Sequence, residues 1–158
     1  GRSNIIDGAL ALDADGKFLA MRLDWINDMG AYLSPGAMGH IRNTMTCMTG
    51  VYRIPALYAS YRVALTNATP IGSYRGAGRP DIAYVIERLV DQAAFELKID
   101  RAELRRRNFI PLDAFPYKTP TLGTFFARLA REPAGDYDDG VLLTAASASA
   151  IPFGASVQ

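Results

Sequence analysis

The first third of the chain alternates apolar and polar positions, and the middle third changes to a helical period. Residues 5–12 and 17–27 are β-rich runs on either side of Asp13-Ala14-Asp15-Gly16. An Asp-Gly step between two such runs predicts strand, tight turn, strand. Within the second run, Leu19, Met21, Leu23 and Trp25 share one face, and Arg22 and Asp24 share the other. Residues 29–50 show no clean period and are rich in Gly, Met and Thr, which predicts a loop with one short helix. Residues 55–67 alternate weakly through Leu57, Ala59, Tyr61, Val63 and Leu65, a third strand. Beyond residue 80, Ile82, Ile86, Leu89, Ala93 and Leu97 recur at helical spacing, with Val85 and Val90 widening the stripe. A helix over 81–98 follows. Pro80 suits its start, and Asp81 complements the dipole of the first turn. Asp100-x-x-Glu103 resembles a capping box opening a shorter helix from Arg101 to about Asn108. The fold class is therefore α+β: a β-hairpin and a third strand, then a glycine-rich loop and two helices.

Composition narrows the chemistry. With 158 residues and 49% apolar content, the chain can bury a core. A formal net charge of +1 gives bulk electrostatics no case for a nucleic-acid partner or a membrane surface. No apolar run is long enough for a membrane span. Arg105, Arg106 and Arg107 point in three directions from one helical turn without a basic stripe, so they predict a solvated or subunit-facing helix end. Cys47 is the single cysteine and His40 the single histidine. No intrachain disulfide, iron–sulfur cluster or His/Cys metal site is expected from this chain's own ligands. Cys47 reads as a structural thiol and His40 as a structural hydrogen-bonder. Asp13-x-Asp15-Gly16 lacks the further ligands of a calcium loop, so it reads as a turn.

Chemistry concentrates in Ser73-Tyr74-Arg75-Gly76-Ala77-Gly78-Arg79-Pro80, between the third strand and the long helix. Two glycines let a backbone approach a ligand closely. Amides at a helix N-terminus suit an anion, and Arg75 and Arg79 add planar, fixed positive charge. The loop therefore reads as a site for a phosphate-bearing cofactor or substrate. A glycine turn with two solvated arginines is the alternative reading of the same residues.

The octapeptide also resembles the signature loop of molybdenum hydroxylase large subunits, the molybdopterin-binding chains of the xanthine dehydrogenase, aldehyde oxidase and aerobic carbon monoxide dehydrogenase superfamily. Gly30-Ala31-Tyr32, Asn43-Thr44, Gly50-Val51-Tyr52-Arg53-Ile54-Pro55 and Thr66-Asn67 fall in that family's order and approximate spacing. So do Glu87-Arg88-Leu89-Val90-Asp91, Glu103-Leu104-Arg105-Arg106-Arg107-Asn108-Phe109 and Phe115-Pro116-Tyr117. The resemblance covers roughly residues 1–121.

That resemblance implies an oxidative hydroxylase whose cofactor is molybdenum on a pterin, in bacteria usually the cytosine dinucleotide form. Electrons would leave through iron–sulfur clusters and FAD on partner subunits. Carried over residue by residue, Tyr74, Arg75, Gly76, Ala77 and Gly78 would line the cofactor, with Arg75 and the amides around Gly76 and Ala77 in contact with it. Ala77 also falls where purine-oxidising relatives carry an aromatic against the substrate, and Asn43 near their substrate-orienting Arg. Both departures argue against a purine. Gly76 stands where true carbon monoxide dehydrogenases place a copper-binding Cys, which disfavours that chemistry too. An aldehyde or an aromatic heterocycle is the expected small-molecule substrate.

No catalytic residue and no protein metal ligand is assigned within the chain, because the family's base, a Glu, and two further cofactor loops would lie outside it. The chain thus reads as an internal or truncated piece, inactive alone, of a parent expected in the cytoplasm, with the periplasm left open. Residues 1–121 read as a partial molybdopterin-binding domain, and 122–158 as a divergent tail with a linker-like break at 132–136 and a small-residue run at 145–150. Trp25, Met45, Met48 and Ile54 are expected in a core completed by segments outside the chain. A non-catalytic nucleotide- or phosphate-binding module and a structural interaction piece are the rival functions.

Overall fold

The computed structural model describes residues 3–121 and, farther along, the backbone of two short strands, Thr124–Ala127 and Leu143–Ala145. The linker-like break at 132–136 and the small-residue run past Ala145 lie outside the described residues, as does most of the tail.

Strands β1 (Asn4–Leu12) and β2 (Phe18–Asp28) form the antiparallel hairpin. Its turn is closed by Asp13, whose Oδ1 accepts the Asp15 and Lys17 amides, and by Gly16 at φ 81°. Helix α1 (Ala37–Thr46) then carries the chain across to β3 (Ala56–Ala64), which pairs with β2 in parallel. The sheet order is β1-β2-β3, so β2 lies in the middle. Helices α2 (Arg79–Leu97) and α3 (Arg101–Asn108) follow. The short strand β4 (Tyr117–Lys118) joins β5 (Thr124–Ala127) and β6 (Leu143–Ala145) in a second, small sheet. The α+β class, the three-strand sheet and both helices of the sequence reading are present.

One face assignment changes. Phe18 is buried and Leu19 exposed, the reverse of strict alternation from Met21. The pairing slips between Ala11 and Leu12, so that Leu12 faces Phe18 while Ala11 faces Ala20. The extra residue of this bulge turns Leu19 outward and brings Phe18 to the core.

The core lies between one sheet face and α2. Phe18, Met21, Leu23 and Trp25 meet Ile82, Ile86, Val90 and Ala94, and Leu104 of α3 closes one end. Each large apolar side chain buried this way contributes roughly 1.5–3 kcal/mol. Gly8 marks the close approach of α2: a Cβ there would sit 3.2 Å from both Leu23 and Leu89. Trp25, Met48 and Ile54 are fully buried by this chain's own residues, with Met45 packed at the edge. Their core is complete within the described chain and does not wait for other segments.

Polar ties fix the helices. Arg105 is no solvated helix end: it bonds Glu87 at 2.6 Å and Asp91 at 3.0 Å, joining α3 to α2. The Tyr52 hydroxyl donates to the same Glu87, and burial first, then that carboxylate, pushes its pKa up. Arg107 reaches Glu103 and the Asp15 carbonyl, while Arg106 is largely exposed and lies 3.7 Å from Glu103. Asn108 is buried: it accepts the Phe18 amide and donates to the Gly16 and Leu104 carbonyls. Asp100 caps α3 through the Ala102 and Glu103 amides, which holds its carboxyl below the usual range. Glu103 turns to Arg107 and Arg106, not back to the cap, so only half of the capping box forms.

Candidate functional site

Two loops meet where parallel β2 and β3 end. Loops at the carboxyl ends of parallel strands are the usual place for ligands in sheets of this kind. The first, residues 29–36, leads into α1; the second, 65–78, leads into α2. They are zipped together by Met29 N–H to the Ala64 carbonyl (2.9 Å), Thr66 N–H to Gly30 (3.0 Å), Ala31 N–H to Ala68 (3.0 Å) and Ile71 N–H to Met29 (3.3 Å). Asp28 accepts the Gly30 amide at 2.8 Å and the Thr66 hydroxyl at 2.7 Å, and these two bonds hold its pKa below the ordinary carboxylate value. Gly30 has φ 76°, and a Cβ there would lie 2.5 Å from the Thr69 carbonyl oxygen. The Gly30-Ala31-Tyr32 and Thr66-Asn67 segments, far apart in sequence, thus share one junction.

The glycine loop rests on α1. Ser73 Oγ donates to the Gly36 carbonyl at 2.6 Å, and Ser34 Oγ donates to Ile71 at 2.6 Å. Gly76, Ala77 and Gly78 have φ of 84°, 30° and 89°, three successive left-handed residues. Such a conformation costs a non-glycine residue about 1–2 kcal/mol, so Ala77 is held by its surroundings. Gly78 is the N-cap of α2, and a Cβ on it would overlap the His40 carbonyl oxygen and sit 2.5 Å from Thr44 Oγ1. Glycine is required there by contact as well as by backbone angle.

The five loop residues named from sequence do not present themselves alike. Tyr74 is 77% exposed, and Arg75 is exposed beside it. Ala77 is only 8% exposed, and its amide is bonded to the Tyr74 carbonyl at 2.8 Å. Among the described residues, the Gly76 and Gly78 amides donate to no acceptor. Those two amides, the 19-residue helix behind them and the exposed Arg75 and Arg79 form a cradle of donors suited to an anionic group, with Gly76 half-buried and Gly78 buried. Asn43 is half-buried on α1, one residue before Thr44, whose hydroxyl donates to the His40 carbonyl (3.0 Å) and contacts the Gly78 carbonyl (3.3 Å).

The sequence reading named Gly30-Ala31-Tyr32 as a family motif but gave no site role to this loop, where Tyr32 is 64% exposed and Leu33 is also exposed. It named His40 as a structural hydrogen-bonder but not its partner: beneath the cradle, His40 Nε2 bonds Asp81 Oδ2 at 3.1 Å. The only signals were a histidine in an apolar context and an acid three residues into a helix. Cys47 is free and half-buried at the core edge. Among the described residues, no group of three or more His, Cys, Asp or Glu side chains could hold a metal ion, and no helix is long and apolar enough to cross a membrane.

The molybdopterin cofactor-binding domain family matches residues 1–109. The 6-hydroxypseudooxynicotine dehydrogenase complex subunit gamma of Paenarthrobacter nicotinovorans is 36% identical over 113 residues, covering 72% of this chain and 14% of that protein. The carbon monoxide dehydrogenase large chain of Hydrogenophaga pseudoflava is 37% identical over 123 residues, covering 72% of this chain and 15% of that one. Among solved structures, quinoline 2-oxidoreductase from Pseudomonas putida 86 superposes with a TM-score of 0.67 at 34% identity, over 79% of this chain and 16% of that one. The chain spans about a seventh of the length of the curated relatives it matches.

Proposed function

Because the chain belongs to the molybdopterin cofactor-binding domain family of molybdenum hydroxylase subunits, we propose that its glycine loop is one wall of the cofactor site in an oxidative hydroxylase. The observation that carries this reading is the run of three left-handed residues, Gly76 to Gly78, on an uncapped helix start between two arginines.

Bound there, the molybdenum–pterin group supplies a two-electron oxidation of a substrate carbon, with the new oxygen coming from water. The chain's own part is positioning and charge. Arg75 and the Gly76 and Gly78 amides bind anionic oxygens of the cofactor, and a pyrophosphate as in the cytosine dinucleotide form suits those donors. The dipole of α2 adds attraction at the same point. Tyr74, next to Arg75 in the chain, offers exposed aromatic surface at the cradle.

An aldehyde or an aromatic heterocycle is the substrate class this site supports. Gly76 brings no thiolate for a second metal, and neither Ala77 nor Asn43 brings the aromatic or arginine of a purine pocket. Electrons pass to iron–sulfur and FAD subunits, and the parent complex is cytoplasmic. Residues 1–121 act as part of the cofactor domain, followed by a divergent tail over 122–158.

The test is metal and pterin analysis of the complex purified from its source, with turnover of benzaldehyde, quinoline, xanthine and carbon monoxide. Stoichiometric molybdenum and pterin, with oxidation of benzaldehyde or quinoline only, is the expected result. A complex without pterin would refute the assignment.

A further inference from the structure

Under the cradle lies a buried polar contact that the cofactor reading does not use. His40 is 1% exposed on α1, and its Nε2 bonds Asp81 at 3.1 Å, with the Asp81 side chain 21% exposed. Asp81 is the third residue of α2. An acid at that position ordinarily reaches back to the N-cap amide. Here the Gly78 amide has no acceptor among the described residues, and Asp81 Oδ2 is directed to the ring on α1.

The same turn of α1 grips the other end of the junction. The His40 carbonyl accepts Thr44 Oγ1, which also contacts the Gly78 carbonyl, and that His40 oxygen occupies the space a Gly78 side chain would need. One turn of α1 therefore holds α2 at its cap by backbone contact and at its third residue by a charge-assisted bond. The Tyr61 hydroxyl is buried nearby, and burial first, then the Asp81 charge, raises its pKa. An aliphatic residue at position 40 would fill the volume but give no direction to the helix start.

We propose that His40 is a positioning residue for the cofactor loop: through Asp81 it sets the first turn of α2, keeps Gly76–Ala77–Gly78 left-handed and leaves the Gly78 amide to the ligand. The proposal rests on the reading of that loop as a cofactor cradle, but its structural half is testable without cofactor.

Two readouts separate the two ideas: hydrogen exchange of the Ala77, Arg79 and Ile82 amides in the purified chain, and pterin content of the complex that contains it. His40→Ala is expected to speed exchange of those amides roughly tenfold and to weaken pterin retention by a similar factor, the size of one lost charge-assisted bond. Protection in β1 and β2 is expected to hold. His40→Gln, which keeps a side-chain N–H at that position, is expected to restore both readouts. Because His40→Ala opens a cavity, Asp81→Ala serves as a second variant that removes the same bond from a more exposed side. It is expected to reproduce the effect, and the double variant is expected to be no worse than either alone.

Slow loop exchange in Asp81→Ala, no recovery in His40→Gln, or loss of protection across the whole sheet in both alanine variants would overturn the proposal. A wild-type complex without pterin, whose loop still responds, would refute the cofactor reading alone. Full pterin with an unresponsive loop would refute the positioning role alone.

Discussion

The helix–sheet core and the loop junction at the strand ends are both closely packed, but they are held in different ways. In the core, Leu23, Trp25, Ile82, Ile86 and Val90 contribute by area, and many side chains share the load. At the junction, Gly30, Ser34, Ser73 and Gly78 act one at a time, each through a single bond or a space that admits no Cβ. Burial is non-directional and tolerates substitution of like for like. The junction depends on direction, and its glycines have no substitute. A loop that keeps Ala77 at φ 30° between two glycines of positive φ takes its shape from the elements beneath it, not from its own preferences.

Leu23→Ala breaks the core side of this contrast most severely. It is expected to lower stability by about 2–5 kcal/mol, the range for a fully buried leucine. Urea denaturation of the purified chain measures it, with the single tryptophan, Trp25, as the probe. A cost below that range would mean the site collapses around the cavity.

Gly78→Ala probes the junction. The left-handed backbone adds about 1–2 kcal/mol of strain, and overlap with the His40 carbonyl adds about 1–3 kcal/mol. Its signature is expected to be local, with the start of α2 losing amide protection before β1 and β2 do. Uniform loss of protection would show that core and junction unfold as one unit.

Arg75→Ala sharpens the contrast, because it should leave stability within about 0.5 kcal/mol, as exposed positions do. In the complex it is expected to weaken cofactor retention by about 1.5–3 kcal/mol. Full molybdenum content with unchanged turnover would remove Arg75 from the site.

Asp28→Asn gives the smallest effect, a deficit present at neutral pH that shrinks in acid. The Gly30 amide and the Thr66 hydroxyl lower the Asp28 pKa from its ordinary 3.8. A lowered native pKa stabilises fully above that ordinary value and loses its contribution as pH falls through the native one. Between neutral pH and pH 3, Asp28→Asn is therefore expected to show a shallower fall in stability than the parent chain, read from paired denaturation curves. Parallel curves would mean that the two bonds contribute nothing to acid stability.

These experiments follow the division between what was legible in the sequence and what was not. The hairpin, third strand, long helix and Asp100 cap were readable because period, turn chemistry and capping act within a few residues. Leu19 was misread because a bulge is set by pairing with β1, which alternation within β2 does not report. Arg105 was misread because its partners, Glu87 and Asp91, lie on another helix. The glycine loop was readable as a place for an anion from Gly76, Gly78 and two arginines. That the Ala77 amide is occupied while those of Gly76 and Gly78 have no acceptor among the described residues was not.

By itself, then, the sequence determined the local elements, the α+β class and, through short motifs in order, the family. The tertiary structure decided the parallel pairing of β2 with β3, the meeting of the 29–36 and 65–78 loops, and the grip of His40 and Thr44 on the start of α2. Local propensity is set by neighbours in the chain. A site is set by contacts between residues 34 to 41 positions apart, such as Thr44 with Gly78 and His40 with Asp81, which exist only once the core has brought α1 and α2 together.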